Sequence, residues 1–334
     1  MDPLSIAMFV AFGLLIGTLF GFFGMGGTFL VTPLLLILGY PASVAVGSGM
    51  AFVFGTAVIA ALKHRELGQV DYRLGVSMIV GTAVGIEAGK EIVLALQELG
   101  LASGILGAAY VGLLGAVGVF TLLDARNRRR RGPSTPTGPT LAERIQAVKM
   151  PPMLRLRGGI SISLWAALVV GFATGLLSGF LGVGGGFIRM PALIYAIGVP
   201  VPIAVGTDLF EIIFSGGIGT FLYAGAGGVD LGIVMPLLAG SALGAQLGAA
   251  ATKLVDSDSI KSVFGWMLVG GATAVAVRQI GSALNNPTLE TVSMGLIFAS
   301  ALIVTGVIAV KAAQARRATE PSPNPEASTG GGTA

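Results

Sequence analysis

Nine stretches of the chain are each apolar enough and, at roughly 20 residues, long enough to cross the hydrocarbon core of a bilayer as one helix. They are residues 4–22, 44–62, 74–93, 102–123, 160–179, 202–223, 231–251, 260–280 and 292–310. Backbone that meets lipid must satisfy its own hydrogen bonds, so such a chain folds as a helix bundle. Composition agrees. Only 11% of residues are charged, against about 25% in soluble domains, and 54% are hydrophobic. The 53 glycines suit helices packed closely in lipid. Stretch 4–22 lacks a basic leader and a small-residue cleavage site, so it reads as mature structure rather than a signal peptide.

Two further apolar stretches, 28–38 and 187–197, are about half the spanning length. Each follows a glycine cluster, and each carries a proline, Pro33 or Pro191. Short segments interrupted by Gly and Pro at matching places mark the discontinuous helices of transporters.

The two halves repeat one another. GFFGMGGTF at 21–29 matches GFLGVGGGF at 179–187, and Pro33 matches Pro191. After a one-residue slip, AVGS at 45–48 matches AVGT at 204–207, and Val70-Asp71 matches Val229-Asp230. Gly81, Gly85 and Gly89 match Gly240, Gly244 and Gly248. The expected units are a first transmembrane repeat (1–123), a basic linker (124–158), a second repeat (159–282), an extra transmembrane helix (283–311) and a disordered tail (312–334).

Charge sets the orientation. The linker holds Arg126, the arginines of 128–131, Arg144, Lys149, Arg155 and Arg157, and the positive-inside rule makes it cytoplasmic. Lys63, His64, Arg65 and Arg73 then fall on the same side, as do Lys253, Lys261, Lys311, Arg316 and Arg317 if each short segment and its preceding helix cross an even number of times. Even parity is met if both cross or if the pair forms a re-entrant hairpin; charge counting leaves this open. Either way each half has five segments, and an odd number makes the second half enter inverted. The expected fold is an all-α polytopic membrane protein of two inverted five-segment repeats with glycine-broken short helices, plus an extra C-terminal helix. The tail is expected on the cytoplasmic side.

A helix that starts inside a membrane presents unpaired N–H groups and about half a positive charge. Gly26, Gly27 and Thr28 precede one such start, and Gly184, Gly185 and Gly186 the other, so both are candidate sites for a small anion. Arg189, four residues past Gly185, adds a guanidinium suited to forked hydrogen bonds with an oxyanion. Asp208 and Glu211 lie about one turn apart on one helix face, able to pair with Arg189 or to carry a coupling proton. Their first-half equivalents, Val31, Gly49 and Phe52, are uncharged. The matched hydroxyls Ser48 and Thr207 are further substrate-binding candidates, with Thr56 and Ser215 matched behind them; all four could instead bond their own backbone. Glu87 is a third candidate proton carrier, although it stands near Lys90 and Glu91 at the end of its segment.

Other functions fit less well. The glycine clusters follow no strand, which excludes a nucleotide-binding loop. The net charge of +4 sits in loops between apolar runs rather than on a nucleic-acid surface. With no cysteine and one histidine, His64 in a basic loop, no transition-metal site, cofactor or histidine-dependent enzyme is expected. A proton-coupled cation transporter using Asp208, Glu211 and Glu87 is the alternative.

At these residues the sequence resembles the sulfite exporter TauE/SafE family, which includes sulfonate permeases. The resemblance rests on the doubled G-x-x-G-x-G-G block at 21–27 and 179–185, the following prolines, the Ala-Val-Gly-Ser/Thr turns, the Gly-x-Val-Asp loops and the Gly-x3-Gly-x3-Gly helices. It implies a secondary transporter of the cytoplasmic membrane that moves sulfite, sulfoacetate or a related anion under an ion gradient. Lipid and a small anion are the expected partners, a homodimer is open, and no nucleic acid is expected. The long basic linker departs from the family pattern.

Overall fold

The computed structural model describes residues 2–23, 27–64, 70–131, 143, 146–147, 150–156, 159–252 and 257–319. Gly26, Arg65, most of the basic linker, Lys253 and the tail from 320 onward lie outside the described residues. Helix α1 is Pro3–Phe23, followed by a 3-10 turn, Gly27–Leu30, and the short α2, Val31–Ile37. Helices α3 (Ala42–His64), α4 (Tyr72–Glu98) and α5 (Ala102–Arg131) complete the first half. Strand β1 (Met153–Arg155) pairs antiparallel with β2 (Ser161–Ser163). The second half holds α6 (Leu164–Leu181), α7 (Gly186–Pro191), α8 (Val201–Gly225), α9 (Leu231–Thr252) and α10 (Ser257–Ala283). The last helix, α11, is Pro287–Thr319.

The chain is an all-α polytopic membrane protein: among the described residues, 8 helices are long and apolar enough to cross a bilayer. Helix α4 is not one of them despite its 27 residues, because Arg73, Glu87, Lys90 and Glu91 cut its apolar run short. Both short stretches form short helices. The second changes character after Pro191, continuing as a π segment, Ala192–Ile197. Proline offers no N–H to the α-helical ladder, so the following turn widens.

The linker is more ordered at its ends than its polarity suggests. Helix α5 continues to Arg131, and β1–β2 places Leu156 and Ile162 in one buried cluster with Leu74, Met78 and Ala204. Helix α11 likewise runs past Lys311 to Thr319.

Glycine decides which helices meet. A Cβ on Gly13, Gly17 or Gly21 of α1 would stand 2.1, 2.5 or 2.1 Å from backbone atoms of Leu237, Ser241 or Ala245 in α9. In return, Gly240, Gly244 and Gly248 of α9 press on Val10, Leu14 and Thr18. The same interlock joins α6 to α4: Gly171, Gly175 and Gly179 meet Met78, Thr82 and Ile86, while Gly81, Gly85 and Gly89 meet Leu168, Phe172 and Leu176. Contact residues rise in number together, so both pairs are parallel. Small residues on both faces let the backbones approach closely, the usual device where lipid removes the hydrophobic drive between helices. The Gly81 stripe is legible in the sequence; its mate in α6, and the corresponding one in α1, were missed. Each interlock joins a helix of one half to a helix of the other.

Equivalent helices also meet, and they run oppositely. In α3 and α8, Gly47 contacts Tyr223, Met50 contacts Gly219 and Phe54 contacts Gly216. In α5 and α10, Gly107 contacts Gln279 and Gly118 contacts Leu268 and Val269. The repeated Val-Asp is a helix start. Asp71 accepts the N–H groups of Arg73 and Leu74 at 3.1 Å each, and Asp230 accepts that of Gly232 at 2.8 Å. Val76, Val80 and Val84 form an exposed apolar stripe on α4, a face that suits lipid.

Candidate functional site

Helix α6 stops inside the protein. Gly182 ends it in the left-handed region at φ 72°, and Gly184 and Gly185 follow at 67° and 80°. Side chains are strained there. They also lack room: a Cβ on Gly182 would stand 2.7 Å from Val46 O, and one on Gly184 2.3 Å from a Val53 methyl.

A helix end leaves carbonyls without partners, and a buried one must find donors elsewhere. Here hydroxyls supply them. Tyr223 donates to Gly179 O at 2.6 Å, Tyr110 to Leu181 O and Ser215 to Gly184 O at 3.1 Å, while the one Thr32 hydroxyl proton lies between Ala45 O at 3.4 Å and Gly182 O at 3.5 Å. These donors come from α2, α5 and α8, so the break is held by both halves. Ser215 was flagged by the repeat, but Tyr110, Tyr223 and Thr32 were not. The available signal was a phenol inside an apolar span, where its hydroxyl must find a partner.

Helix α7 starts immediately after, with Gly185 O accepting the N–H of Arg189 at 2.8 Å. Arg189 is wholly buried. Its Nη1 donates to Asp208 Oδ1 at 3.1 Å and contacts Glu211 Oε2. Asp208 and Glu211 are wholly buried as well. Among the described residues, Arg189 Nε and Nη2, Asp208 Oδ2 and Glu211 Oε1 have no hydrogen-bond partner. Nη2 faces the break, since a Cβ on Gly185 would be 2.7 Å from it. One guanidinium nitrogen therefore serves the carboxylates, while the other two, with three N–H donors between them, have no partner among the described residues.

Of the residues singled out in the sequence, Gly184, Gly185, Gly186, Arg189, Asp208 and Glu211 come together. Gly27 and Thr28 lie in the 3-10 turn before α2. Ser48 and Thr207 do not share a site. The Ser48 hydroxyl accepts the N–H of Asp230 at 3.0 Å, and the Thr207 hydroxyl that of Asp71 at 2.9 Å. Because Gly47 lies beside Tyr223 in the antiparallel α3–α8 pair, Ser48 sits about fifteen residues along α8 from Thr207, about 22 Å at 1.5 Å per residue. No single small anion reaches both. Glu87 pairs instead with Lys90 at 2.8 Å, and its side chain is 46% exposed. Among the described residues, no group of three His, Cys, Asp or Glu could hold a metal ion.

A model of the sulfite exporter TauE/SafE family matches residues 9–277. A "Probable membrane transporter protein" of Xylella fastidiosa (strain 9a5c) is 32% identical over 284 residues, covering 83% of this chain and 97% of its own length. The "Probable membrane transporter protein YunE" of Bacillus subtilis (strain 168) is 23% identical over 80% of this chain and 95% of its own length. An archaeal relative, "Probable membrane transporter protein MJ0441" of Methanocaldococcus jannaschii, is 23% identical over 73% of this chain and 86% of its own. No solved structure matches the chain.

Proposed function

The chain belongs to the sulfite exporter TauE/SafE family and is a multi-pass membrane transporter, and on that premise we propose that it is a secondary transporter of a small sulfur oxyanion or organosulfonate, such as sulfite or sulfoacetate, across the cytoplasmic membrane, coupled to an ion or proton gradient. The observation that carries this reading is the wholly buried Arg189 beside the glycine break, with Nε and Nη2 unpartnered. A guanidinium in an apolar bundle is costly and is kept where it has work to do, and its planar fork matches sulfonate and sulfite oxygens. Gly184, Gly185 and Gly186 bring backbone close to the bound anion. Asp208 and Glu211 are the coupling groups. The antiparallel course of equivalent helices supports inverted repeats that rock about the site for alternating access. The basic linker and C-terminal end face the cytoplasm in this reading.

The two carboxyls against one guanidinium favour a second reading, a proton-coupled cation transporter. One experiment separates the two. In proteoliposomes the wild-type chain takes up labelled sulfite or sulfoacetate, and Arg189→Ala abolishes uptake. Uptake unchanged by that substitution removes Arg189 from the site, and uptake competed by cations but by no oxyanion establishes the second reading.

A further inference from the structure

We propose that Arg189, Asp208 and Glu211 bind the substrate anion and a proton as a unit, so that a monoanion and one proton cross together without net charge. This rests on the anion-transport reading and specifies its coupling.

The argument is a charge count. One guanidinium and two carboxyl groups are wholly buried, and each carboxyl contacts the guanidinium. Arginine stays charged. With both carboxylates ionised the cluster carries one excess negative charge, and a buried unbalanced charge is so costly that the group neutralises itself. The empty cluster therefore holds one proton on a carboxyl oxygen, and Asp208 Oδ2 and Glu211 Oε1 are the unpartnered oxygens that accept it. An incoming monoanion docks on the unpartnered Nε and Nη2 of Arg189. The excess negative charge then returns, and the same cost draws a proton onto the second carboxyl. Empty and loaded carriers are both neutral, and they differ by one anion and one proton. The first half has Val31, Gly49 and Phe52 at the equivalent positions, so there is one such unit per chain.

The neighbours do not supply the missing charge. From α4, Asp71 donates its N–H to Thr207, beside Asp208, but its carboxylate caps the start of α4. Arg73 of α4 donates to Arg155 O of β1 and is exposed. Helix α6 contributes no ionisable side chain, and Ile188 and Met190 beside Arg189 are apolar. The side chains of Lys63 and His64 in α3, and of Tyr195 in the π segment, are outside the described residues. Glu87 and Glu91 both pair with Lys90 farther along α4, and their one surplus negative charge lies on exposed carboxylates that solvent screens.

The test uses the full chain in proteoliposomes with an internal pH dye, and with voltage set by potassium and valinomycin. Isethionate is the probe, because its sulfonate stays monoanionic over the working pH range, whereas sulfite releases protons of its own. The expected result is lumenal acidification by one proton per anion. A pH gradient should drive uptake at zero voltage, and a voltage step on the order of 100 mV should change the flux less than about twofold. The double variant Asp208→Asn/Glu211→Gln, which leaves no carboxyl to take the proton, should move the anion without a proton and make the flux follow voltage, whereas either single substitution still leaves one carboxyl that takes it. Should the double variant fail to fold, binding to the wild-type chain carries the test. The apparent isethionate affinity, read by thermal stabilisation in detergent, should weaken about tenfold per pH unit on the alkaline side. Uptake that follows voltage without acidification, or affinity independent of pH, overturns the coupling and leaves anion transport standing. No uptake of isethionate, sulfite or sulfoacetate overturns the transport reading itself.

Discussion

Arg189 curls back onto Gly185: a Cβ placed on that glycine would stand 2.7 Å from Arg189 Nη2. The glycine therefore serves both the turn and the guanidinium. Gly185→Ala should cost about 1–2 kcal/mol for its left-handed backbone and also push Nη2 out of the break. Oxyanion flux should fall at least tenfold by proteoliposome assay. Gly39→Ala is the control. Its φ is 84° with open space around it, so it should lower the melting midpoint similarly and leave flux near wild type.

The interlock of α4 and α6 gives a stability prediction. A Cβ on Gly175 would meet Thr82 O at 2.3 Å, so Gly175→Leu should cost about 1–3 kcal/mol or more through overpacking. Gly104 of α5 has nothing within 4 Å, and Gly104→Ala should stabilise the helix by about 0.5–1 kcal/mol. Melting midpoints in detergent should move in opposite directions.

Tyr223→Phe removes the donor to Gly179 O and keeps the ring. A buried carbonyl left alone costs about 1–3 kcal/mol. The midpoint should drop accordingly, with flux reduced far less than by Arg189→Ala.

Ser48→Ala leaves the half-buried N–H of Asp230 without its acceptor, and Thr207→Val the buried N–H of Asp71. Each should cost about 1–3 kcal/mol. The two sites are well separated, so the costs should add. Hydrogen exchange should quicken at the Asp230 amide in the first variant and at the Asp71 amide in the second.

Arg278 pairs with Glu290 to join α10 to α11, but the side chains are 21% and 41% exposed. Arg278→Ala should shift stability by no more than about 1 kcal/mol, because solvent screens such pairs.

The bundle, the broken helices and the Arg189 cluster were legible because lipid narrows the choices. Charges in apolar runs are few, so Arg189 had few partners besides Asp208 and Glu211. Other features depend on facts the sequence does not carry locally. Gly81, Gly85 and Gly89 announce a close partner, yet α1 and α6 are so alike that periodicity cannot tell an interlock within a half from one across halves. Tyr110 and Tyr223 become caps only because α6 stops at Leu181, which decides which carbonyls lack partners. Ser48 and Thr207 were matched by the repeat, and that match reports their equivalence rather than their job. Each receives the backbone N–H of an aspartate in the opposite half.

The cross-paired glycine helices bear on how the chain is made. Helix α1 is translated long before its partner α9, which begins only at Leu231. Helix α4 likewise waits for α6, beyond the basic linker. Until then both glycine faces have only lipid or an insertion factor against them. Synthesis must pass the first helix of the second half before α4 can close on α6, and reach α9 before α1 can pair, so a chain truncated in the linker contains neither.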